Sequence, residues 1–171
     1  MKFITPIFFI LFSFFASKVY GQSSPEELGK SLINYFQGDS ISHIKKHFPT
    51  AEQLLVYAEK HNMELNDEKI SVLKENYPKL ISELNSKIND IKKDGINKGI
   101  DWKMIQTDSI RTSMKKSPNA TIENDSIEIN RVDMYFHYLS NTYRMVLENT
   151  IEIEDRWYLD NKIFFREMNE E

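Results

Sequence analysis

Apolar and polar residues alternate along two neighbouring stretches in the C-terminal half of the chain. Between Val132 and Tyr138 the apolar residues fall on even positions, and between Tyr143 and Ile153 they fall mainly on odd positions. Because successive side chains leave a β-strand on opposite faces, both stretches are predicted to be strands with one apolar face.

The turn between these two strands is predicted from the same pattern. A two- or four-residue loop centred on Ser140–Asn141 places Phe136 opposite Met145 and Met134 opposite Leu147. A three-residue loop would set apolar side chains against polar ones, because a one-residue slip turns a whole strand over. We therefore expect a loop of even length.

A third strand follows a second turn. A three-residue loop, Glu154–Arg156, keeps the apolar residues on one face, whereas a two-residue loop would turn Tyr158 and Lys162 toward the core. The three-residue loop predicts these pairs: Ile153 with Trp157, Ile151 with Leu159, Leu147 with Ile163, and Met145 with Phe165. The result is an antiparallel meander with one apolar face that needs a cover.

Two further features belong to the predicted sheet. The alternation of Ile100, Trp102 and Met104 predicts the start of a first strand, and polar residues 115–125 predict a loop. The apolar residues change from odd to even positions near Asn130–Arg131, which predicts a bulge there.

Capping signals predict three helices in the N-terminal half. Ser24 with Glu27 and Thr50 with Gln53 have the spacing of capping boxes, and Asn66 is a third cap. Gly38 is expected to end the first helix, and residues 40–47 are expected to form a short additional helix.

The third predicted helix is the longest element. Apolar residues recur every three or four positions from Ile70 to Ile91. Pro78 is expected to kink or split this helix, and Gly95 is expected to cap its C-terminus.

These elements predict an α+β fold in which helices at about 25–94 cover one face of an antiparallel sheet at about 99–166. We interpret residues 22–171 as a single domain, a length that supports one core.

Residues 1–21 are interpreted as a signal peptide. Lys2 precedes the largely apolar run Phe3–Phe15, which is shorter than the about 20 residues needed to span a bilayer. Cleavage is expected before Gln22, so that the protein is exported, periplasmic or secreted, with no stable membrane insertion after cleavage. The alternative is an uncleaved anchor.

Composition narrows the possible functions. The formal net charge is −4, which argues against nucleic acid as a partner. The absence of cysteine excludes disulfides and thiolate metal sites. The sequence contains no glycine-rich phosphate loop or nucleophile elbow, so that no cofactor is predicted.

Two groups of polar residues are candidate sites for metal binding or acid–base chemistry. His43 and His47 are four residues apart, a spacing that suits a metal, but a solvated helix face is the favoured interpretation and no metal is predicted. Asp133, Tyr135 and His137 share the polar face of one strand and include an acid and a base. The alternative, which we favour, is an ordinary solvent-facing side, with Glu148 across from Asp133.

A ligand-binding pocket is the third candidate site. The predicted register places Asn149 opposite Asn161 on the core face, where buried amides need partners. Tyr35, on the helical stripe facing the sheet, is the third candidate ligand-binding residue, with core packing as its alternative. A turn at Asp160–Asn161 would instead move Asn161 outward.

The chain resembles the NTF2-like, cystatin-like α+β superfamily. The resemblance rests on the helix Pro25–Gly38 and on a final hairpin carrying Arg156–Asp160, and it covers about residues 24–165. It implies a cone of helices and curved sheet around a cavity, in isomerases, dehydratases and many binding proteins. No catalytic residue of that superfamily matches a position here, so no catalytic residue is predicted.

Two hypotheses follow from the sequence. The first is an exported, non-enzymatic protein that binds a small apolar ligand or another protein. The second is a small acid–base enzyme of the isomerase or lyase type that uses the cavity. Ionisable side chains inside a pocket would favour the enzyme.

Overall fold

A computed structural model of the chain describes residues 22–38, 45–116, 128–160 and 162–168. Within these ranges three α-helices precede five β-strands, and the helices pack against an antiparallel open sheet. The predicted α+β class is therefore confirmed. The predicted signal peptide, His43, Asn161 and residues 117–125 of the predicted loop lie outside the described residues.

Helix α1 spans Pro25–Gln37 and begins where the capping signal predicted. The Ser24 hydroxyl accepts a hydrogen bond from the Glu27 N–H at 3.2 Å. The Glu27 carboxylate in turn accepts from the N–H of Ser23 at 3.3 Å, one residue earlier than in a standard capping box. Gly38 ends the helix, and its N–H donates to the Asn34 carbonyl.

Helix α2 spans Ala51–Lys60 and is preceded by a short 3₁₀ turn, Lys45–His47. Both halves of the predicted capping box are present. The Gln53 N–H donates to the Thr50 hydroxyl at 3.2 Å, and the Thr50 N–H donates to the Gln53 side chain at 2.9 Å.

Helix α3 is continuous from Asp67 to Asn97, so the predicted split at Pro78 is wrong. Proline lacks the N–H that would bond to the Lys74 carbonyl four residues earlier. Both residues are exposed, which leaves that carbonyl open to water. Gly95 is buried inside the last turn, so its predicted role as the C-cap is also wrong.

The segment after α3 is not the first strand. Trp102–Met104 form a 3₁₀ turn, whose start is capped by Asp101 through a 3.0 Å bond to the Lys103 N–H. Met104 is 65% exposed, so the apparent alternation was misleading. The inward residue after Trp102 is Ile105, three positions on.

The sheet follows the predicted antiparallel order. The strands are β1 Gln106–Lys116, β2 Glu128–Tyr138, β3 Asn141–Ile153, β4 Arg156–Leu159 and β5 Ile163–Met168. Strand β3 lies between β2 on one side and both β4 and β5 on the other, and β1 pairs with the free side of β2.

The first turn has even length, but it lies one residue earlier than predicted. Its two residues are Leu139–Ser140, and Tyr138 pairs with Asn141. Met134 therefore faces Met145, two residues away from its predicted partner. The apolar face is preserved because a shift of two residues keeps every side chain on its own face.

The second turn has two residues, so the predicted three-residue loop is wrong. Glu154 and Asp155 have φ of 51° and 58°, and Ile153 pairs with Arg156. Positive φ at both central residues matches the right-handed twist of a two-residue hairpin. Tyr158 is fully buried, but the residues on either side of it, Trp157 and Leu159, belong to the main core, as the three-residue loop had predicted.

Strand β5 nevertheless has the predicted register. Leu147 pairs with Ile163 and Met145 with Phe165. Leu159 and Ile163 are four residues apart, whereas their partners on β3, Thr150 and Leu147, are three residues apart, so the segment between β4 and β5 has one extra residue. This extra residue restores the register that the shorter turn had shifted.

The predicted bulge is confirmed in position. The pairs Asn130–Thr150 and Val132–Leu147 show that two steps along β2 correspond to three along β3. The extra residue lies in β3, not in β2 as predicted, because β2 stays in regular register with β1. Asn130 therefore lies on the same face of β2 as Val132, the face that packs against the helices.

Aromatic rings fill the space between α1, the 3₁₀ turn and the sheet. The indole of Trp102 lies 4.6 Å from the ring of Phe36, 5.7 Å from that of Phe136 and 5.6 Å from that of Phe165, measured between centroids. Tyr143 stacks on Phe136 at 5.7 Å. These rings join the helices to the sheet in one apolar core.

Candidate functional site

The face of the sheet turned away from the core carries a row of arginines around one carboxylate. Cross-strand neighbours place Arg111 beside Asp133, and Tyr135 beside Arg144, which in turn pairs with Arg166. Side chains at paired positions leave the sheet on the same side. We call this surface the arginine face.

Asp133 is the centre of the arginine face. Its Oδ1 accepts hydrogen bonds from the Nε and Nη2 atoms of Arg144 at 2.9 and 2.6 Å. Arg131 donates from Nε to Oδ2 at 3.0 Å and from Nη2 to Oδ1 at 3.2 Å. The predicted solvent-facing acid is therefore 9% exposed and held by two guanidinium groups. Val146 is its partner on β3, so the predicted pairing with Glu148 is wrong.

The charge state of Asp133 follows from two opposing effects. Burial raises the pKa of its carboxyl group, and the hydrogen bonds from Arg131 and Arg144 lower it by more. The net result is a pKa below the ordinary value. The pKa of Arg131 is raised in return, chiefly by its hydrogen bond to Asp133. Both groups therefore stay charged at neutral pH.

The ring of Tyr135 contacts two arginines of the arginine face. The guanidinium of Arg111 lies 5.2 Å from the centre of the Tyr135 ring, and that of Arg144 lies 5.5 Å from it. Such cation–π contacts restrict long side chains that would otherwise move freely. The phenol thus links Arg111 to the ion pair at Asp133.

Apolar groups border these charges. Val146 is buried although it lies on the outer face, between the partner positions of Asp133 and Phe164. Phe164 is 48% exposed, and Lys87 of α3 lies 5.2 Å from its ring centre. The arginine face therefore combines aromatic surface with positive charge.

The second acid–base pair on this face is solvated. His137 Nδ1 lies 2.6 Å from Asp108 Oδ1, and the two side chains are 38% and 40% exposed. Catalysis by such a pair depends on a water-poor setting that tunes both groups. This pair lies in water and is a surface contact.

His47 departs from its predicted surroundings. The favoured interpretation was a solvated helix face, but the side chain is 1% exposed. Its Nε2 lies 2.8 Å from the Ser31 hydroxyl of α1, and its Nδ1 lies 3.5 Å from the Gln22 side-chain amide. Gln22 also pairs through its backbone with Trp157 of β4. The imidazole thus joins the start of the described chain, α1 and the 3₁₀ turn.

The residues predicted to bind a ligand lie in separate elements. Tyr35 is buried on α1, edge-on to Phe36, with Lys92 5.5 Å from its ring centre. Asn149 is half-buried on β3 and donates to Asp160 at 3.3 Å. Asn161 lies outside the described residues, so the predicted pair of amides stays a prediction.

Across the described ranges, no group of three or more His, Cys, Asp or Glu side chains could hold a metal ion. Among the described helices, none is long and apolar enough to cross a bilayer.

The arginine pair on Asp133 was missed from the sequence, although part of its signal is there. Arg131 and Asp133 are two positions apart and therefore share one face of a strand. The second arginine depends on the turn. Placing the loop at Leu139–Ser140 sets Arg144 beside Tyr135 and diagonal to Asp133, whereas the predicted loop moved it away.

Comparisons with known proteins found no protein-family model, no curated protein and no solved structure that matches this chain.

Proposed function

We propose that this chain is an exported, non-enzymatic binding protein that recognises an acidic surface of another protein through the arginine face. The observation that carries the proposal is the ion cluster at Asp133. One carboxylate neutralises only one of the two guanidinium groups that hold it. The positive excess of the cluster, partly offset by Glu148 near Arg131, lies on a chain whose net charge is −4.

The neighbouring arginines increase this excess. Arg111 and Arg166 are exposed, and Arg166 is the cross-strand partner of Arg144. Like charges at directly opposed positions destabilise a sheet. A bound carboxylate would relieve this repulsion, and the planar guanidinium fork matches carboxylate geometry.

The composition of the face fits a protein partner better than a free anion. Binding energy at protein interfaces is concentrated in arginine and aromatic residues, with apolar contacts around them. Tyr135, Phe164 and Val146 provide such surface beside the arginines. An open sheet face also suits another protein surface more than a small molecule, which needs concavity.

Two observations support a non-enzymatic role. We include the NTF2-like resemblance in the proposal, and it implies a central cavity. In this chain, however, the rings around Trp102 occupy the space between helices and sheet. The acid–base pair His137 and Asp108 is open to water. Both favour binding over the alternative of an isomerase or lyase.

Removal of charge at the two exposed arginines tests the proposal. The variant Arg111→Gln/Arg166→Gln keeps Arg131, Asp133 and Arg144 and adds no new anion beside them. A matched control, Lys74→Gln/Lys93→Gln, makes the same charge change at exposed positions of α3. Tagged forms of all three proteins would be used to capture partners from the exported fraction of the source cells, with quantification by mass spectrometry.

We expect a partner with an acidic surface to be retained by the native chain and the control and lost from the arginine variant. With the purified partner, affinity should fall at least about tenfold in the variant and should weaken with added salt. Equal capture by both variants would contradict the proposal. The intact mass of the exported protein tests export itself, because it should correspond to a chain that begins at Gln22.

A further inference from the structure

A narrow groove lies on the other side of the sheet, where α2 meets the ends of the strands. Tyr57 and Lys60 of α2 and His61, which caps that helix, form one wall, and Asn130, Glu152 and Trp157 of the sheet form the other. The groove has a volume of about 210 Å³, which limits an occupant to a group about the size of one ring. It lies on the opposite face of β2 from Asp133 and is separate from the arginine face.

Asn130 gives the groove an unmet hydrogen-bond donor. The residue is 2% exposed, and its side-chain nitrogen has no hydrogen-bond partner. The backbone at Asn130 is held, because its carbonyl accepts a hydrogen bond from the Thr150 hydroxyl at 3.0 Å. Buried amide groups nearly always have partners, and an unmet one lowers stability. An unmet donor that lowers stability in the free protein is suited to a hydrogen-bond acceptor on a bound ligand.

Aromatic groups form the walls beside this donor. The rings of Tyr57 and His61 lie 4.4 Å apart with an angle of 50° between their planes. Burial raises the pKa of the Tyr57 phenol, with a smaller contribution from Asp160, so the hydroxyl stays neutral. The backbone of Trp157 is held by Gln22 through two hydrogen bonds of 3.1 and 2.7 Å. The backbone that carries the indole is therefore anchored.

The charges at the groove are balanced. Lys60 contributes one positive and Glu152 one negative side chain. A ligand with a large net charge would gain little from such a pair. A flat ring gains contact area from the aromatic walls, and a carbonyl oxygen satisfies the amide nitrogen of Asn130.

We propose that the groove between α2 and the strand ends is a binding site for a single-ring aromatic amide or carboxylate, with its oxygen accepting a hydrogen bond from the Asn130 side-chain nitrogen and its ring lying between Tyr57 and Trp157. This inference does not depend on the arginine face or on its partner.

Titration with benzamide and benzoate, followed by NMR of the folded chain, tests the site. We expect saturable shifts of the Trp157 indole N–H and the Asn130 side-chain NH₂ signals. Cyclohexanecarboxamide, which keeps the carbonyl but lacks the flat ring, should bind more weakly. An absence of saturable shifts with both aromatic probes, or shifts spread over the whole surface, would overturn the proposal.

The variant Asn130→Leu separates a ligand donor from a structural amide. Because the donor is unmet in the free protein, its loss should leave the melting temperature unchanged or raise it, while affinity for benzamide falls about tenfold. A clear fall in melting temperature would show that water or the protein already satisfies the amide, and would overturn the proposal. Tyr57→Ala, at a half-buried position, should weaken binding by a similar factor, whereas Lys69→Ala on α3 should not.

Discussion

The indole of Trp102 lies directly against the backbone of Gly95, so closely that a methyl group added to this glycine would be 2.2 Å from the indole Cζ2 atom. The indole N–H donates to the Lys92 carbonyl at 2.8 Å, which fixes the ring over the last turn of α3. Gly95 is therefore required for close packing and not for ending the helix.

Gly95→Ala should destabilise the protein although alanine favours helix. The gain in helix propensity is about 1 kcal/mol, whereas overpacking a well-filled core costs typically 1–3 kcal/mol, and here the indole cannot move without breaking its hydrogen bond. We expect a net loss of about 1–2 kcal/mol in urea unfolding. Ser86→Ala, on the exposed side of α3, is the control and should be neutral or slightly stabilising.

Local capping signals predicted the helix starts correctly. The hydroxyls of Ser24 and Thr50 bond to the backbone three residues on, because capping depends only on adjacent residues. The role of Gly95 could not be read in this way. It depends on a tryptophan that is brought back by a turn after the helix has ended, and nothing near Gly95 signals that contact.

Turn geometry was the main limit for the sheet. The residues Glu154 and Asp155 adopt positive φ without the Asn-Gly sequence that usually signals it, so the two-residue hairpin was not recognised. Alternation alone identified β2, β3 and the core face, because face membership depends on parity, but it misplaced the first strand. The partners along β4 and at Asp133 depend on the exact turn, and so were missed.

Replacing the second turn by Glu154→Asn/Asp155→Gly should stabilise the protein. A left-handed backbone conformation costs most residues with a Cβ atom about 1–2 kcal/mol, and it costs asparagine and glycine less. Because the unfolded chain gains freedom with glycine, we expect a net gain of about 0.5–1 kcal/mol in denaturant unfolding. Asp155→Val, with a branched side chain at φ of 58°, should be destabilising instead. A loss of stability with Asn-Gly, or a gain with Asp155→Val, would contradict the assigned turn.

Two positions on β3 test the assigned core face. Leu147 is 1% exposed, between Val132 and Ile163, whereas Thr142 lies on the same strand and is exposed. Leu147→Ala should lower the free energy of unfolding by about 2–5 kcal/mol through lost burial and a cavity. Thr142→Ala should change it by less than about 0.5 kcal/mol. Similar losses for the two variants would show that the face is assigned wrongly.

The ion cluster at Asp133 should give stability that acid removes. Because the pKa of this carboxyl group is lower in the folded protein than the ordinary value of 3.8, the charged form favours folding. Its contribution is fully present above that ordinary value and is lost as the pH falls through the lowered folded value. Asp133→Asn keeps the shape but leaves Arg131 and Arg144 without their anion, and at pH 7 it should cost about 2 kcal/mol.

Melting temperatures of the native chain and of Asp133→Asn, measured from neutral pH down to strongly acidic pH, check this prediction. The native chain should melt about 4–8 °C higher at neutral pH, and this gap should close as the pH falls below about 4. Glu26 and Glu27 also have lowered pKa values, but they titrate in both proteins and so cancel in the difference. A gap that stays constant into strong acid would show that the difference between aspartate and asparagine at position 133 does not depend on the charge of the carboxyl group.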